Sequence, residues 1–436
     1  MNELKRSLGF WGAAGIGIGA IIGTGIFVLI GVASGIAGPA VILSFIIAGF
    51  VALLTGLSTA ELASFIHESG GSYIYTTKAF GEFPGFVVGW MKSFDYIVGA
   101  SAVSVGFAAY LTYFIGIPAT TSTLVVIGTV WPLILMMLNL KGIKEASGTN
   151  NLLVALKILA LLLFIVVGAS ALITKGNYSN YYPFFPHGFS GVMSGAAIIF
   201  FAFIGFNTIA IMAEEIKNPE KNVPKAILFA FAICTLIYIG VAIVAVGVVN
   251  WSLLGSSSAP LEFALKAVTD NILILQFVAI SALFATTSVI MASIMGGSRA
   301  LFAMSRQGVL PKELSKISRQ NVPAFTIVLC GIIISGIVVA TNGNLDWLAS
   351  LFNFGTLLTF IFINLSLIKL RKDMPDIARS FKVPLYPYTP IFALISCIIL
   401  AFYLNSNAVF TAFFFLVIGI VVFYLNKKRK SATGGR

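Results

Sequence analysis

Apolar residues in this chain neither alternate nor keep to one helix face; they run on in unbroken blocks. Blocks of about 20 residues recur from residue 10 onward, parted by short polar stretches. A bilayer core takes about 20 residues of helix, so each block predicts a spanning helix. Twelve are expected, at 10–36, 39–62, 84–115, 120–140, 151–173, 189–213, 224–249, 272–298, 323–341, 345–368, 387–404 and 408–425. The first is too long for a cleavable signal and opens a series of others. Period-two alternation is absent, which argues against a β-barrel. The connection 250–271 is compatible with a plain loop or with a short helix folded onto the outer mouth. In the helical reading Ser258 is the N-cap, Pro260 stands in the first turn, and Leu261, Ala264, Leu265 and Val268 form one apolar face.

Composition narrows the class. Of 436 residues, 58% are apolar and 10% charged, against roughly 25% charged in soluble domains. A soluble enzyme, a disordered chain and a disulfide scaffold are excluded. Cys234, Cys330 and Cys397 all lie inside apolar blocks, so no disulfide framework is expected. His67 and His187 are far apart, and neither a metal cluster nor a His-dependent triad can be assembled.

The net charge of +12 comes from topology. With the N-terminus in the cytoplasm, 23 of the 27 Lys and Arg fall in cytoplasmic connections or tails, and only Lys175 and Lys266 fall outside. Such a split follows the positive-inside rule, and puts both termini in the cytoplasm of a cell-membrane protein. No nucleic-acid site is needed to explain it. The basic tail Lys427–Lys430 suits a stop-transfer flank or contact with anionic lipid.

Two blocks are interrupted. In the first, Gly15, Gly19 and Gly23 form a smooth stripe suited to close helix packing, the reading favoured for Gly15. Gly23-Thr24-Gly25 is different, because two glycines around a threonine weaken the helix in mid-span. Non-helical backbone at that depth survives only where it is buried in protein or lines a cavity. The spacing is not that of a dinucleotide-binding loop, and no strand precedes it. In the sixth block, FFAFIGFNTIA, Gly205 and Asn207 interrupt at comparable depth. Paired interruptions in corresponding positions point to a transporter binding site. The five-span offset predicts two inverted repeats, 10–173 and 189–368, with 387–425 as two additional spans, all in one transport domain.

The segments GAIIGTGIF, FFAFIGFNTIA with AEEIKNPEKNVPKAI, GGSRALFAMSRQGVLP and ELASFIHESGGSYIYTTKAFGEFPGFVVGW resemble the amino acid–polyamine–organocation transporters. The branch of cationic amino acid transporters and its prokaryotic proton-coupled relatives is the most similar. The resemblance implies the LeuT-type inverted-repeat fold and alternating access. It places a substrate carboxylate at Ile21, Thr24 and Gly25, and the ammonium at the carbonyls of Phe201, Ala202 and Ile204. Phe201 is also of the kind that closes over substrate as a gate.

Charge inside a span is expensive, about 2.5–3.5 kcal/mol at mid-helix on insertion scales. Glu61 and Glu214 lie at span ends, where they are expected to meet water. Lys92 and Asp95 are three apart and suited to pair along one helix face. Lys157 has Leu153, Val154, Ala160 and Leu161 as helical neighbours. It either snorkels to the inner interface or, as the resemblance implies, replaces a cation held in relatives by the positions of Gly19, Thr287 and Ser288. A buried ammonium there would be able to release a proton, with Asp95 as a transfer partner.

The expected function is secondary amino acid transport by proton-coupled symport, with amino acid, protons and the bilayer as partners. No enzyme activity, cofactor, bound metal or ATP motif is expected. An exchanger with a structural Lys157 is the alternative within transport; a channel or a membrane sensor is the alternative outside it. Whether the substrate is neutral or cationic stays open.

Overall fold

In hydrocarbon every backbone N–H and C=O must find its partner within the protein, and a helix satisfies both locally. The computed structural model describes residues 8–23, 25–66, 68, 70–141, 147–212, 216–306, 308–318 and 322–433, without the side chains of 147–151, 207, 211 and 429–433. Among these residues the regular structure is helical, apart from an isolated bridge between Leu8 and Ile216.

In chain order the helices are α1 (Phe10–Ile21), a π-helical turn (Gly25–Leu29), α2 (Ile30–Ala37), α3 (Val41–Phe65), α4 (Ser72–Phe80), α5 (Glu82–Ile115), α6 (Thr121–Leu140) and α7 (Ser147–Lys175). Then come α8 (Gly188–Ile199), a 3-10 stretch (Phe200–Phe206), α9 (Asn207–Ile211), α10 (Pro219–Val248), α11 (Trp251–Ser256), α12 (Pro260–Lys266) and α13 (Ile272–Arg306). The chain ends with α14 (Ala324–Ala340), α15 (Leu345–Asp373), α16 (Tyr388–Phe402) and α17 (Ser406–Thr433).

Nine helical segments among the described residues are long and apolar enough to cross a membrane. The first, Phe10–Phe65, covers the first two expected spans, and the shorter apolar helices α14 and α16 coincide with the ninth and eleventh. The surface fits lipid: Phe402, Phe410, Ile173 and Leu273 are more than 70% exposed. In water such a surface would aggregate. Buried positions meanwhile include Ser58, Thr55 and Asn364, which hydrogen-bond one another between α3 and α15. The protein is a multi-pass membrane protein.

Several sequence expectations shift. Two short helices, α4 and α11, stand where only connections were expected, because their polar residues hide them from a hydropathy reading. α12 does begin at Pro260, but its N-cap is Ala259, without a side-chain bond, and Ser258 does not cap it. Gly15 meets nothing within 4 Å, so close packing is not its role; Gly17 faces Ile209 and Ala230 instead, and Gly19 faces Val154.

Glu61 does not meet water. Its side chain is 0% exposed, and its carboxylate accepts two bonds of 2.6 Å from Arg371 and one of 2.6 Å from the Val383 amide. Arg379 stands 3.5 Å away. Charge-assisted bonds of this kind satisfy a buried carboxylate that bulk water cannot reach. Glu214, His67, Lys144 and Arg319 lie outside the described residues.

Candidate substrate site

The first break begins where α1 stops. Ile22 leaves helical geometry at ψ 77°, and the Gly23 amide turns back to the Ile21 carbonyl at 2.7 Å. The chain resumes as the π-helical turn at Gly25. The second break is a tightening rather than an unwinding: α8 passes into 3-10 helix at Phe200 and returns to α at Asn207. It therefore starts before Gly205, where the sequence placed it.

The breaks meet backbone to backbone. A Cβ at Gly25 would stand 2.6 Å from the Ala202 Cα, and one at Gly205 would overlap the Ala20 carbonyl and the Ile21 amide. Only glycine permits that approach.

Carbonyls released by irregular backbone need new donors. The Tyr238 hydroxyl, from α10, lies 2.8 Å from the Ile21 oxygen and 3.2 Å from the Ala202 oxygen, so one side chain ties both breaks together. Tyr110 of α5 donates to the Phe27 carbonyl at 2.6 Å. Asn353 of α15 donates to the Ala197 and Ile198 carbonyls at 2.7 and 3.1 Å, at the end of α8. Sequence reasoning missed all three residues; each is a polar group inside an apolar block, the one available sign.

Between the breaks lies a cavity of about 390 Å³. The first helix contributes Ile16, Gly19, Ala20, Ile21, Gly23 and Gly25; the sixth segment contributes Phe201, Ile204, Gly205 and Thr208. α5 adds Lys92, Asp95, Tyr96 and Gly99, α7 adds Lys157, and α15 adds Phe352. α13 closes the wall with Ser288, Val289, Ala292, Ser293 and Gly296.

Most of the expected residues thus share one space: Gly19, Ile21, Gly25, Asp95, Lys157, Phe201, Ile204 and Ser288. Ala202 stands behind Gly25 and is 2% exposed. Thr287 turns away, accepting a bond from Trp131 Nε1 at 3.3 Å. Thr24 lies outside the described residues. Phe201 packs against Phe352 with ring centroids 4.3 Å apart.

Two of the charges pair on α5. Lys92 Nζ is 3.7 Å from Asp95 Oδ2 and 5.3 Å from the centre of the Tyr96 ring. Asp95 Oδ2 also accepts from Thr356 at 3.0 Å, whereas Oδ1 has no partner among the described residues. Lys157 is 3% exposed. A second cavity of about 500 Å³, lined by Thr59, Tyr73, Arg299 and Met304 among others, shares Lys92, Tyr96 and Gly296 with the first. These three line both cavities.

A lipid-facing helical bundle with a cavity between two broken helices is the architecture of a membrane carrier. The sequence comparison names the kind. The chain belongs to the amino acid permease family, whose model matches residues 12–430. It is 37% identical to the branched-chain amino acid permease BcaP of Bacillus subtilis (strain 168), over 99% of this chain and 95% of that one. It is 36% identical to the methylthioribose transporter of the same organism, with the same coverage. The vacuolar cationic amino acid transporter 2 of Arabidopsis thaliana is 32% identical over 86% of this chain and 61% of its own. The protein is a transporter rather than an enzyme.

Proposed function

We propose that this permease carries neutral amino acids with apolar side chains, coupled to protons, by alternating access. The central cavity carries the reading. Its wall includes the backbone of both breaks, and Ile16, Ile204, Val289 and Phe352 supply apolar surface in the same cavity. Released N–H groups and the positive end of a half-helix suit a carboxylate, which Ile21, Thr24 and Gly25 would hold. Carbonyls of Phe201, Ala202 and Ile204 suit the ammonium. A cationic side chain would face Lys92 and Lys157, with Asp95 already engaged by Lys92 and Thr356.

Lys157 is the proposed proton carrier, supported by its place in the wall of the cavity that Gly19 and Ser288 also line. Charged, it would brace α1 against α13; neutral, it would release them, so the two facing states hold the proton unequally. The framework is twelve spans in a LeuT-type arrangement of two inverted repeats plus two spans, with both termini in the cytoplasm. The cavity containing Arg299 and Tyr73 is then the cytoplasmic exit.

Uptake of labelled leucine into proteoliposomes, in competition with the standard amino acids and methylthioribose, tests the reading. Valine, leucine and isoleucine should compete and arginine should not. Equal competition by arginine would overturn the neutral assignment; uptake of labelled methylthioribose with no uptake of leucine or any other amino acid would overturn amino acid transport.

A further inference from the structure

The connection between α10 and α13 contains a carboxyl group that the substrate site does not use. Glu262 lies in the first turn of α12 and is 0% exposed. Neither of its carboxyl oxygens has a hydrogen-bond partner among the described residues. Burial without a partner disfavours the charged form of an acid.

The setting is a closure. α12 packs against α7, α10, α13 and the π-helical turn, with α11 beside it. A Cβ at Gly31 would stand 2.9 Å from the Leu254 oxygen of α11 and 3.1 Å from Pro260 of α12. The two short helices therefore seat directly on the outer half of the first broken helix.

Few groups act on the acid. From α5, the phenols of Tyr110 and Tyr113 face it, and Tyr110 already donates to Phe27. From α13 comes the Ala279 backbone. Among the described residues no charged side chain of α7, α10, α11 or the π-helical turn offsets its burial. Lys266, one turn along α12, is exposed and forms no ion pair with it. Burial pushes the carboxyl up to about 8.

We infer that Glu262 is a proton-binding site in its own right, occupied while α11 and α12 are seated and emptied when they lift. The inference rests on the orientation proposed above, in which α12 faces outward. Lifting wets the carboxyl and returns it towards its ordinary value of 4.5. The seated form then holds more protons than the lifted one. Below both values each form is protonated and pH has no leverage. Between them, rising pH weakens the seat; above both, the effect is complete. The proton enters and leaves on the outer side, so it is not carried across and adds nothing to the stoichiometry at Lys157. It makes outside acid favour closure of the outer mouth.

The test places a cysteine at Leu254, which is 0% exposed in the seated form, in a protein whose three buried native cysteines are replaced by alanine. A membrane-impermeant thiol reagent is applied from outside across pH, with Glu262 intact and as Glu262→Gln. The ratio of the two rates cancels thiol ionisation. The ratio of the intact to the Gln protein should climb with pH, by roughly tenfold or more between pH 5 and pH 8, and level off above that. A ratio flat with pH overturns the inference. Should Glu262→Gln fail to fold, Glu262→Met replaces it as the non-titrating reference, with the same two outcomes. Labelling needs no transport, so a failed leucine uptake assay leaves this result standing; labelling confined to the opposite side refutes the orientation instead.

Discussion

Replacing Tyr238 by Phe removes a hydroxyl that touches both helix breaks. The ring keeps its place, packed against Phe203 and Phe45 at centroid distances of 5.2 and 5.8 Å. The change is therefore confined to the hydrogen bonds. A hydroxyl has a single proton, so the 2.8 Å contact to Ile21 takes most of it and the 3.2 Å contact to Ala202 the remainder. The Ile21 carbonyl keeps its bond from the Gly23 amide, so the cost is that of one lost hydrogen bond, about 0.5–1.5 kcal/mol; double-mutant cycles inside membrane proteins average about 0.6 with a maximum near 1.7. A loss of about 0.6–1.5 kcal/mol is expected. Because Ile21 lines the cavity, the loss falls on the geometry of the cavity wall, weakening affinity by roughly 3- to 12-fold. Calorimetric titration of the purified protein with leucine reads it directly. Tyr110→Phe is the comparison: it removes a bond to the Phe27 carbonyl, whose residue does not line the cavity, so stability should drop while affinity stays within about twofold. If Tyr238→Phe behaves like Tyr110→Phe, the hydroxyl is structural and the reasoning fails.

Three further outcomes are expected. Gly25→Ala and Gly205→Ala should each abolish uptake, because the added methyl forces the two backbones apart, whereas Gly15→Ala, which meets nothing within 4 Å, should transport normally; normal uptake by Gly205→Ala would mean that the breaks need not touch. Lys157→Met should still insert, since it removes an intramembrane charge, and should lose accumulation driven by an acid-outside gradient while keeping slow exchange; retained gradient-driven accumulation would make the lysine structural. Cysteines at Lys312 and Lys382 should label from the cytoplasmic side alone and one at Lys266 from outside alone, and labelling of position 312 in intact cells would invert the topology.

What the sequence discloses here depends on how far apart the partners are. The long apolar helices, the Gly23–Gly25 interruption and the pairing of Lys92 with Asp95 are local patterns, readable within one turn or one block. Tyr238 is not, because its partner Ile21 is 217 positions away, and nothing near Tyr238 shows which carbonyl will lack a bond. Glu61 fails for the same reason: Arg371, 310 positions on, turns an expected wet end into a sealed one. Thr287 and Ser288 are adjacent on α13, yet one reaches Trp131 and the other the cavity, a difference of helix rotation that hydropathy does not record. Short polar helices such as α4 lie below the length at which periodicity speaks.

The backbone contact between the two breaks also bears on how selectivity can be altered. Where Gly25 meets Ala202 and Gly205 meets Ala20 there is no room for a larger side chain, so the contact between the breaks, proposed above to hold the amino acid head, offers no variable positions. Tuning must come from other lining positions. Gly99, Val289, Ala292 and Phe352 line the same cavity and take no part in that contact. A combinatorial library confined to these four positions would vary pocket shape while leaving the contact between the breaks intact, and it marks out where one scaffold can be retargeted from one cargo to another.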